Sequence, residues 1–314
     1  ADAYYRIGEL LYERGNPKDA LENFKKVVSI DRDNLLANSF IGGILKSQND
    51  YEMAINFYDK AGDNFSLGQA IECCYLSEDY GSFNKRMETY ANRTPNDIRV
   101  AALSAFASNQ LQQEDIYPFC HDPLKYIHYG SIKKHMPDHD EFSKNLIEEM
   151  NYQKAEWEPK DNTTHGGFQT ASTIFDNPSG RLLDLKEIVI KELHSYYETY
   201  KNLNQNIIKN WPNETNLAAW YVRLKQGGHQ ASHIHASGRI RGVIYLKTIP
   251  NPIDNEGAIK FGLHGYGLPI INKNYPTKIY QPKNGDLILF PSSLFHETIP
   301  VRQEIERCVI AFDL

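Results

Sequence analysis

HQASHIHASGRIRGVIYL, residues 229–246, places His229, His233 and His235 directly before an apolar run. His233 and His235 are two positions apart, and a β-strand would put both side chains on one face. That spacing can hold a metal ion, although residues 215–253 contain no Asp or Glu to supply the carboxylate that oxygen-activating metal sites commonly use. The stretch therefore indicates either a metal site with an unusual third ligand or three polar residues on a loop.

Two later residues favour the metal site. His296 follows the apolar run of NGDLILFPSSLF, and Arg307 lies eleven residues beyond it, near the start of the last apolar run. A histidine pair at the mouth of one strand and a histidine on a neighbouring strand can meet inside a β-barrel. An arginine next along the sheet can bind a dicarboxylic acid through paired hydrogen bonds. The alternative for Arg307 is an ion pair with Glu304 or Glu306.

The region around these residues has the pattern of an antiparallel β domain with flanking helices. Helices are predicted at residues 141–151 and 179–200, and Ser179 is the expected N-cap of the second. Short apolar or alternating runs separated by Gly, Pro and Asn predict strands at residues 216–224, 239–249, 257–263, 277–283, 286–292 and 306–314. Such strands predict a jelly-roll-like barrel or sandwich.

The N-terminal part repeats itself with a period of 34 residues. Seven positions of the first copy are compared with those 34 residues later, and six of the seven keep their residue type. The first copy has Tyr4, Ile7, Gly8, Leu11, Ala20, Phe24 and Val27; the second has Asn38, Ile41, Gly42, Leu45, Ala54, Tyr58 and Ala61. This pattern resembles the tetratricopeptide repeat, which has two antiparallel helices per repeat. A degraded third copy is predicted at residues 64–97, and a helix near 98–112 is expected to close the stack. The alternative is an unrelated bundle of amphipathic helices.

Composition excludes several classes of function. The net charge is −6 without a basic run, which argues against a nucleic-acid partner. No apolar run approaches the roughly 20 residues of a membrane span. The four cysteines show neither disulfide nor zinc spacing, which suits a reducing cytosol, so a cytoplasmic location is expected. The chain opens ADAYY without Met, so we expect upstream sequence to be missing.

The β region resembles a known family. HIHASGRIRGVIYL, NGDLILFPSSLFHETIP and THGGFQT together resemble the Fe(II)/2-oxoglutarate-dependent oxygenases, and among them a prolyl-hydroxylase-like subfamily with an H-x-H motif. The resemblance covers residues 140–314. It implies a double-stranded β-helix that binds Fe(II) through His233 and His296. It also implies that Arg307 and Tyr245 bind the distal carboxylate of 2-oxoglutarate and that O2 is the oxidant.

His235 occupies the position of the acidic ligand in this family. We favour His235 as an iron ligand, which would give a three-histidine metal set of His233, His235 and His296. The alternative is that it turns away and contacts substrate or supports a ligand. Tyr245 could instead be a core tyrosine, and Arg239 and Arg241 face either the cavity or solvent. His229 is expected at the rim of the cavity, and His264 on a loop.

The expected fold class is α+β with several domains. Residues 1–112 form an N-terminal helical tetratricopeptide-repeat solenoid, residues 113–140 an interdomain segment, and residues 141–314 the double-stranded β-helix (jelly-roll) domain with flanking helices. The interdomain histidines are predicted to be solvated: His121, His128, His135 and His139.

The expected function is that of an Fe(II)/2-oxoglutarate-dependent dioxygenase that hydroxylates a protein or peptide side chain, or a small metabolite. The repeats would aid binding of substrate or a protein partner through the face that carries Tyr5, Glu9, Tyr12 and Glu13. The alternative use of that face is to dock the repeats onto the oxygenase domain. The alternative function is a non-catalytic repeat-based scaffold with a metal-binding but inactive β-helix domain.

Overall fold

A computed structural model describes residues 1–160 and 162–314. The chain divides into two compact units, residues 1–95 and residues 96–314. The first unit is entirely helical, and the second contains every strand of the described chain together with four α-helices.

The first unit consists of three helical pairs. Its helices are α1 (Asp2–Glu13), α2 (Pro17–Ile30), α3 (Leu35–Ser47), α4 (Tyr51–Ala61), α5 (Asn64–Leu76) and α6 (Tyr80–Arg93). Helices α2 to α6 each begin after a residue whose side chain accepts a hydrogen bond from a backbone N–H of the first turn: Asn16, Asn34, Asp50, Asp63 and Asp79. These caps satisfy backbone donors that a helix cannot pair internally, so the sequence sets where each helix begins.

Small residues at the repeat positions allow the two helices of a pair to approach closely. A Cβ atom at Gly8 would lie 2.9 Å from the ring of Phe24, and one at Gly42 would lie 2.7 Å from the ring of Tyr58. The repeat interpretation of the first two copies is therefore confirmed in its physical detail. In the third pair Phe83, the large residue at a small position, is 2% exposed.

The second unit begins earlier than the predicted domain boundaries. Helix α7 (Ile98–Leu111) forms where a helix was predicted, but it belongs to the compact unit 96–314. The Gln110 side chain donates to the carbonyl of Asn272 and accepts from the backbone N–H groups of Ile271 and Asn272. These bonds join α7 to a loop of the β domain.

The segment predicted as an interdomain connection also belongs to the second unit. Strand β1 (His128–Ser131) pairs antiparallel with a strand of the main sheet. His128 and His135 both hydrogen-bond to the carboxylate of Glu192 through Nε2, at 3.3 and 2.7 Å. The prediction that these histidines are solvated was wrong for His128, which is half-buried against the buried acid, whereas His135 is exposed in spite of the same partner.

The predicted helices and strands of the β domain are present with small shifts. The helices are α8 (His139–Asn151), α9 (Arg181–Tyr200) and α10 (Asn206–Lys209); the strands after β1 are β2 (Ala155–Trp157), β3 (Thr164–Thr170), β4 (Ala218–Gln230), β5 (Ile240–Lys247), β6 (Ile259–Gly262), β7 (Thr277–Tyr280), β8 (Asp286–Pro291), β9 (Phe295–Thr298) and β10 (Arg307–Asp313). Gly180, not Ser179, is the N-cap of α9, and it makes no side-chain cap. Strands β1, β2, β3 and β9 were not predicted because they are short or lack apolar alternation.

The strands form two antiparallel sheets. The larger sheet has the order β1-β8-β5-β10-β4-β3-β2, and the smaller has the order β7-β6-β9. The sheets face each other, since the Phe290 ring of β8 contacts the Phe261 ring of β6 and the His296 ring of β9. This two-sheet jelly-roll arrangement confirms the predicted fold class. Strands β5 and β10 are buried on both faces, which explains their nearly continuous apolar sequence.

All four cysteines are buried and unpaired. Among the helices of the described residues, none combines the length and apolar character needed to cross a membrane.

Gly242 is the tightest point in the centre of the larger sheet. It pairs with Phe312, and a Cβ atom at this position would lie 2.0 Å from the Phe312 ring. We expect Gly242→Ala to destabilise the protein by about 1–3 kcal/mol, because the ring or the strand must move. Thermal unfolding followed by circular dichroism measures the loss.

Gly262→Ala in β6 is the matched control, since its nearest neighbour would be the Thr277 methyl group at 3.5 Å, an ordinary contact. Equal melting temperatures for the two variants would contradict the steric argument.

Candidate metal centre

Three histidines from two segments of the β domain meet between the two sheets. His296 lies on β9, and His233 precedes β5 and forms an isolated antiparallel bridge with it. The backbone N–H of each residue donates to the carbonyl of the other at 3.1 Å. The backbone N–H of His235 donates to the carbonyl of Ser292, also at 3.1 Å. Backbone hydrogen bonds therefore fix the main-chain positions from which all three imidazoles extend.

The three imidazoles form one cluster. Ring centroids are 4.3 Å apart for His233 and His296, 4.9 Å for His233 and His235, and 5.4 Å for His235 and His296. One candidate ligand nitrogen from each ring lies within 4.8 Å of the other two. This spacing lets three nitrogens converge on one ion.

Hydrogen bonds at Nδ1 indicate which nitrogen of each ring is available. Nδ1 of His233 lies 2.7 Å from the Ala231 carbonyl, and Nδ1 of His296 lies 3.1 Å from the Leu294 carbonyl. A carbonyl oxygen only accepts hydrogen bonds, so Nδ1 must carry the proton in both rings. Nε2 then has the free lone pair. Fixing the tautomer in this way is typical of histidine ligands to metals.

Nδ1 of His235 is bonded differently, to a side chain. It lies 3.0 Å from Oδ2 of Asp313 at the end of β10. Burial disfavours the charged carboxylate, but Arg241 and the hydrogen bond from His235 outweigh this and lower the pKa of Asp313. The ionised carboxylate therefore accepts from Nδ1–H, and Nε2 of His235 is also left with its lone pair.

Burial keeps the imidazoles neutral. It lowers the pKa of His233 to about 3, with further contributions from His235 and Arg241. Burial likewise lowers the pKa of His296 well below its usual value. A histidine must be deprotonated to ligate a metal, so at neutral pH these side chains are in the binding state.

The free nitrogens fit a bound transition metal. Nε2 of His235 and Nε2 of His296 are buried and have no hydrogen-bond partner among the described residues. A buried polar atom without a partner is costly, and a divalent ion would satisfy both atoms. Imidazole ligands suit iron, zinc, copper and nickel. No carboxylate joins the cluster in the described chain, because Asp313 binds the outer nitrogen of His235 instead.

Arg307 and Tyr245 form a second buried polar pair. The guanidinium carbon of Arg307 lies 5.1 Å from the centroid of the Tyr245 ring, and Nε of Arg307 donates to the Gly257 carbonyl at 2.9 Å. Nη1 of Arg307 and the Tyr245 hydroxyl have no partner among the described residues. Neither Glu304 nor Glu306 pairs with Arg307; Glu306 lies near Arg223. The two free donors suit a carboxylate group.

Tyr245 is a neutral phenol at physiological pH. Burial raises its pKa to about 12, although the charge of Arg307 acts in the opposite direction. The hydroxyl can therefore donate a hydrogen bond to an anion. Arg307 remains cationic even though burial lowers its pKa.

A cavity of about 370 Å³ adjoins the histidines. Its wall combines two metal-site histidines with an aromatic ring, a cation and amides, among them His233, His235, Trp220, Arg241, Gln169 and Gln230. The volume is sufficient for one side chain or a small molecule. Most of its lining is polar, which favours a substrate that makes hydrogen bonds.

The other candidate histidines lie outside the cluster. His229 is on β4, where its Nδ1 bonds to the Gly227 carbonyl and its ring lies 5.0 Å from that of His165. His264 lies on the loop between β6 and β7 and bonds to the Leu268 carbonyl at 2.8 Å.

Asp313 and Trp220 were not predicted as site residues. The sequence contained one usable signal, since Asp313 is the only charged residue after Arg307 in the otherwise apolar run RCVIAFDL. A charged residue in such a run needs a buried partner. The partner could not be identified before the strand order was known.

Comparison with known proteins agrees with this geometry. Residues 218–313 match the family described as "Putative 2OG-Fe(II) oxygenase", and residues 1–34 and 37–61 each match the tetratricopeptide repeat. None of the curated proteins compared with the chain matches it.

Several solved structures match the chain at low identity. A Pseudomonas putida prolyl-4-hydroxylase is 14% identical with a TM-score of 0.41, covering 60% of this chain and 90% of its own. A Trichoplax adhaerens prolyl hydroxylase, solved with a hypoxia-inducible-factor peptide, is 17% identical with a TM-score of 0.43, covering 67% and 88%. HygX from Streptomyces hygroscopicus, solved with nickel and 2-oxoglutarate, is 13% identical with a TM-score of 0.37, covering 55% and 77%.

Residues 1–34 and 37–61 thus match tetratricopeptide repeats, and residues 218–313 match the 2OG-Fe(II) oxygenase family model.

Proposed function

We propose that this protein is an Fe(II)/2-oxoglutarate-dependent hydroxylase with a three-histidine iron site. The observation that carries the proposal is the convergence of three neutral imidazoles, two of which have buried Nε2 atoms without a partner. His233, His235 and His296 would hold the metal. With 2-oxoglutarate and O2, iron in such a site supplies oxidation of a C–H bond coupled to decarboxylation of the co-substrate to succinate.

The protein contributes positioning and a dry site. Arg307 and Tyr245 would bind the distal carboxylate of 2-oxoglutarate, because their free donors are buried beside each other on neighbouring strands β10 and β5. Burial strengthens such charge-assisted hydrogen bonds. The Nδ1 partners of the histidines keep the ligand rings in one tautomer and one orientation.

The substrate is proposed to be a protein or peptide side chain. The alternative substrate for the same reaction is a small metabolite. The polar cavity beside the histidines has room for one such group. Tyr12 on the first repeat is 44% exposed although one edge of its ring packs on Phe40, and Glu13 is also exposed; the less exposed Tyr5 ring packs on both Phe24 and Phe40. Tyr12 and Glu13 would contact a protein partner with basic or polar character.

The first test of this function is spectroscopic. Anaerobic protein supplied with Fe(II) and 2-oxoglutarate is expected to show the weak visible charge-transfer band of a chelated co-substrate. On admission of oxygen, it should form succinate slowly without substrate. His296→Ala, checked for folding by circular dichroism, should show neither signal.

Folded protein that gives neither the band nor succinate would refute the oxygenase. That result would favour the alternative, a repeat-based binding protein whose β domain is inactive.

The second test concerns His235 as a ligand. Loss of a residue that hydrogen-bonds to a metal ligand typically weakens metal binding about 10- to 100-fold. His235→Ala removes a direct ligand, so we expect it to weaken Fe(II) binding by at least that factor. His235→Asp should bind better than His235→Ala, since two histidines and a carboxylate form a common iron site. Competition with a chelator measures the affinities.

His229→Ala is the control for this series, because His229 is a neighbouring histidine outside the cluster. If His235→Ala keeps full iron affinity, His235 is not a ligand.

The third test concerns the co-substrate. Arg307→Gln removes a buried cation, and loss of a buried charge-assisted pair costs about 2 kcal/mol or more, which is about 30-fold or more in affinity. We therefore expect the 2-oxoglutarate concentration that gives half of the maximal charge-transfer absorption to rise about 30-fold or more. The affinity for iron should not change.

The exposed Arg302, which pairs with Asp254, provides the matched control Arg302→Gln. Equal 2-oxoglutarate affinity in the two variants would show that Arg307 does not bind the co-substrate.

A further inference from the structure

One of the three histidines depends on a side chain for its orientation. Nδ1 of His233 and Nδ1 of His296 bond to carbonyls of their own local backbone, two residues earlier in each case. Nδ1 of His235 bonds to Asp313, which is distant in the sequence and lies at the end of β10. His235 is therefore the ligand candidate whose geometry a distant residue controls.

Asp313 is itself held in place by a buried cation. It pairs in register with Arg241 of β5, and Nη1 of Arg241 lies 3.2 Å from Oδ1 of Asp313. Oδ2 remains for His235. Arg241 is 1% exposed and Asp313 is 8% exposed, so water does not compete for either oxygen.

Trp220 of β4 holds the same group from another side. Its ring lies 4.1 Å from the guanidinium carbon of Arg241, at a distance typical of a cation–π contact. The same ring stacks on His235, with centroids 5.7 Å apart and an interplanar angle of 27°. Trp220, Arg241 and Asp313 come from three adjacent strands, in the order β5-β10-β4. Each of them contacts His235 directly or through another of the three.

We propose that Asp313 is a positioning residue that makes His235 a metal ligand. It fixes the proton on Nδ1 and directs the Nε2 lone pair into the cluster. The ligand set lacks an acid, but Asp313 lies directly behind it and bonds to His235, the histidine that stands in the position of the acid. Arg241 cancels its charge, so the centre remains one unit more positive than a site with two histidines and a carboxylate. This inference rests on the proposed three-histidine metal site.

The test uses Co(II) as the probe and a double-mutant cycle. Co(II) affinity is measured by competition with a chelator, and the visible absorption of bound Co(II) reports its ligand set. We expect Asp313→Ala to lower Co(II) affinity about 10- to 100-fold and to change the absorption, as removal of an outer partner does. Asp313→Asn keeps an oxygen that can accept from Nδ1, so its loss should be smaller than that of Asp313→Ala.

The cycle separates positioning from general stability. If Asp313 acts through His235, adding Asp313→Ala to His235→Ala should cost no more than about twofold further affinity. A full additional loss in that background would overturn the proposal. An unchanged Co(II) spectrum and affinity in both Asp313 variants would also overturn it.

Glu192→Ala is the matched control, because Glu192 is another buried acid that bonds to histidines, His128 and His135, away from the cluster. It should lower the melting temperature without changing Co(II) affinity. Asp313→Ala leaves Arg241 buried without its acid; if that variant does not fold, the double variant Arg241→Met/Asp313→Leu, which removes the buried ion pair as a whole, decides, and wild-type Co(II) affinity and spectrum in it overturn the proposal. Wild-type protein that binds no Co(II) would instead contradict the proposed metal site itself.

Discussion

The backbone pairing of His233 with His296 is the constraint on which the candidate site depends. Two reciprocal N–H to carbonyl bonds of 3.1 Å attach the segment after β4 to strand β9. In an antiparallel pair, directly opposed residues have neighbouring side chains on one face. The bridge therefore puts two imidazoles side by side, and the bond from the His235 N–H to the Ser292 carbonyl places the third beside them. The candidate metal centre thus depends on backbone pairing between this segment and β9.

The sequence predicted those parts of the structure that a local pattern determines. The 34-residue period marked the close approaches at Gly8 and Gly42, because only a small residue fits beneath a ring there. The apolar runs marked β4, β5, β8 and β10, since central strands covered on both faces must be apolar. The clustering of the three histidines was also predicted, because two of them directly precede one strand and the third follows another along the chain.

The remaining features depend on contacts that no local pattern contains. Asp313 reaches His235 only because β10 lies between β4 and β5. Glu192 on α9 pairs with His128 and His135, and this contact changes a segment that resembled a linker into part of the β domain. Short polar strands such as β9 take their conformation from a neighbouring strand, so periodicity alone cannot reveal them.

The central place of β10 has a consequence for how the protein folds. Strand β10 follows every other strand along the chain, yet it inserts between β5 and β4. The larger sheet cannot close until this insertion, which joins residues far apart in sequence and is therefore slow compared with the local helix pairs of the repeats. Asp313 and Arg307 arrive with β10, so the support of His235 and the carboxylate-binding pair are completed in the same step. The proposed metal and co-substrate sites would thus be completed together, when β10 pairs with β5 and β4.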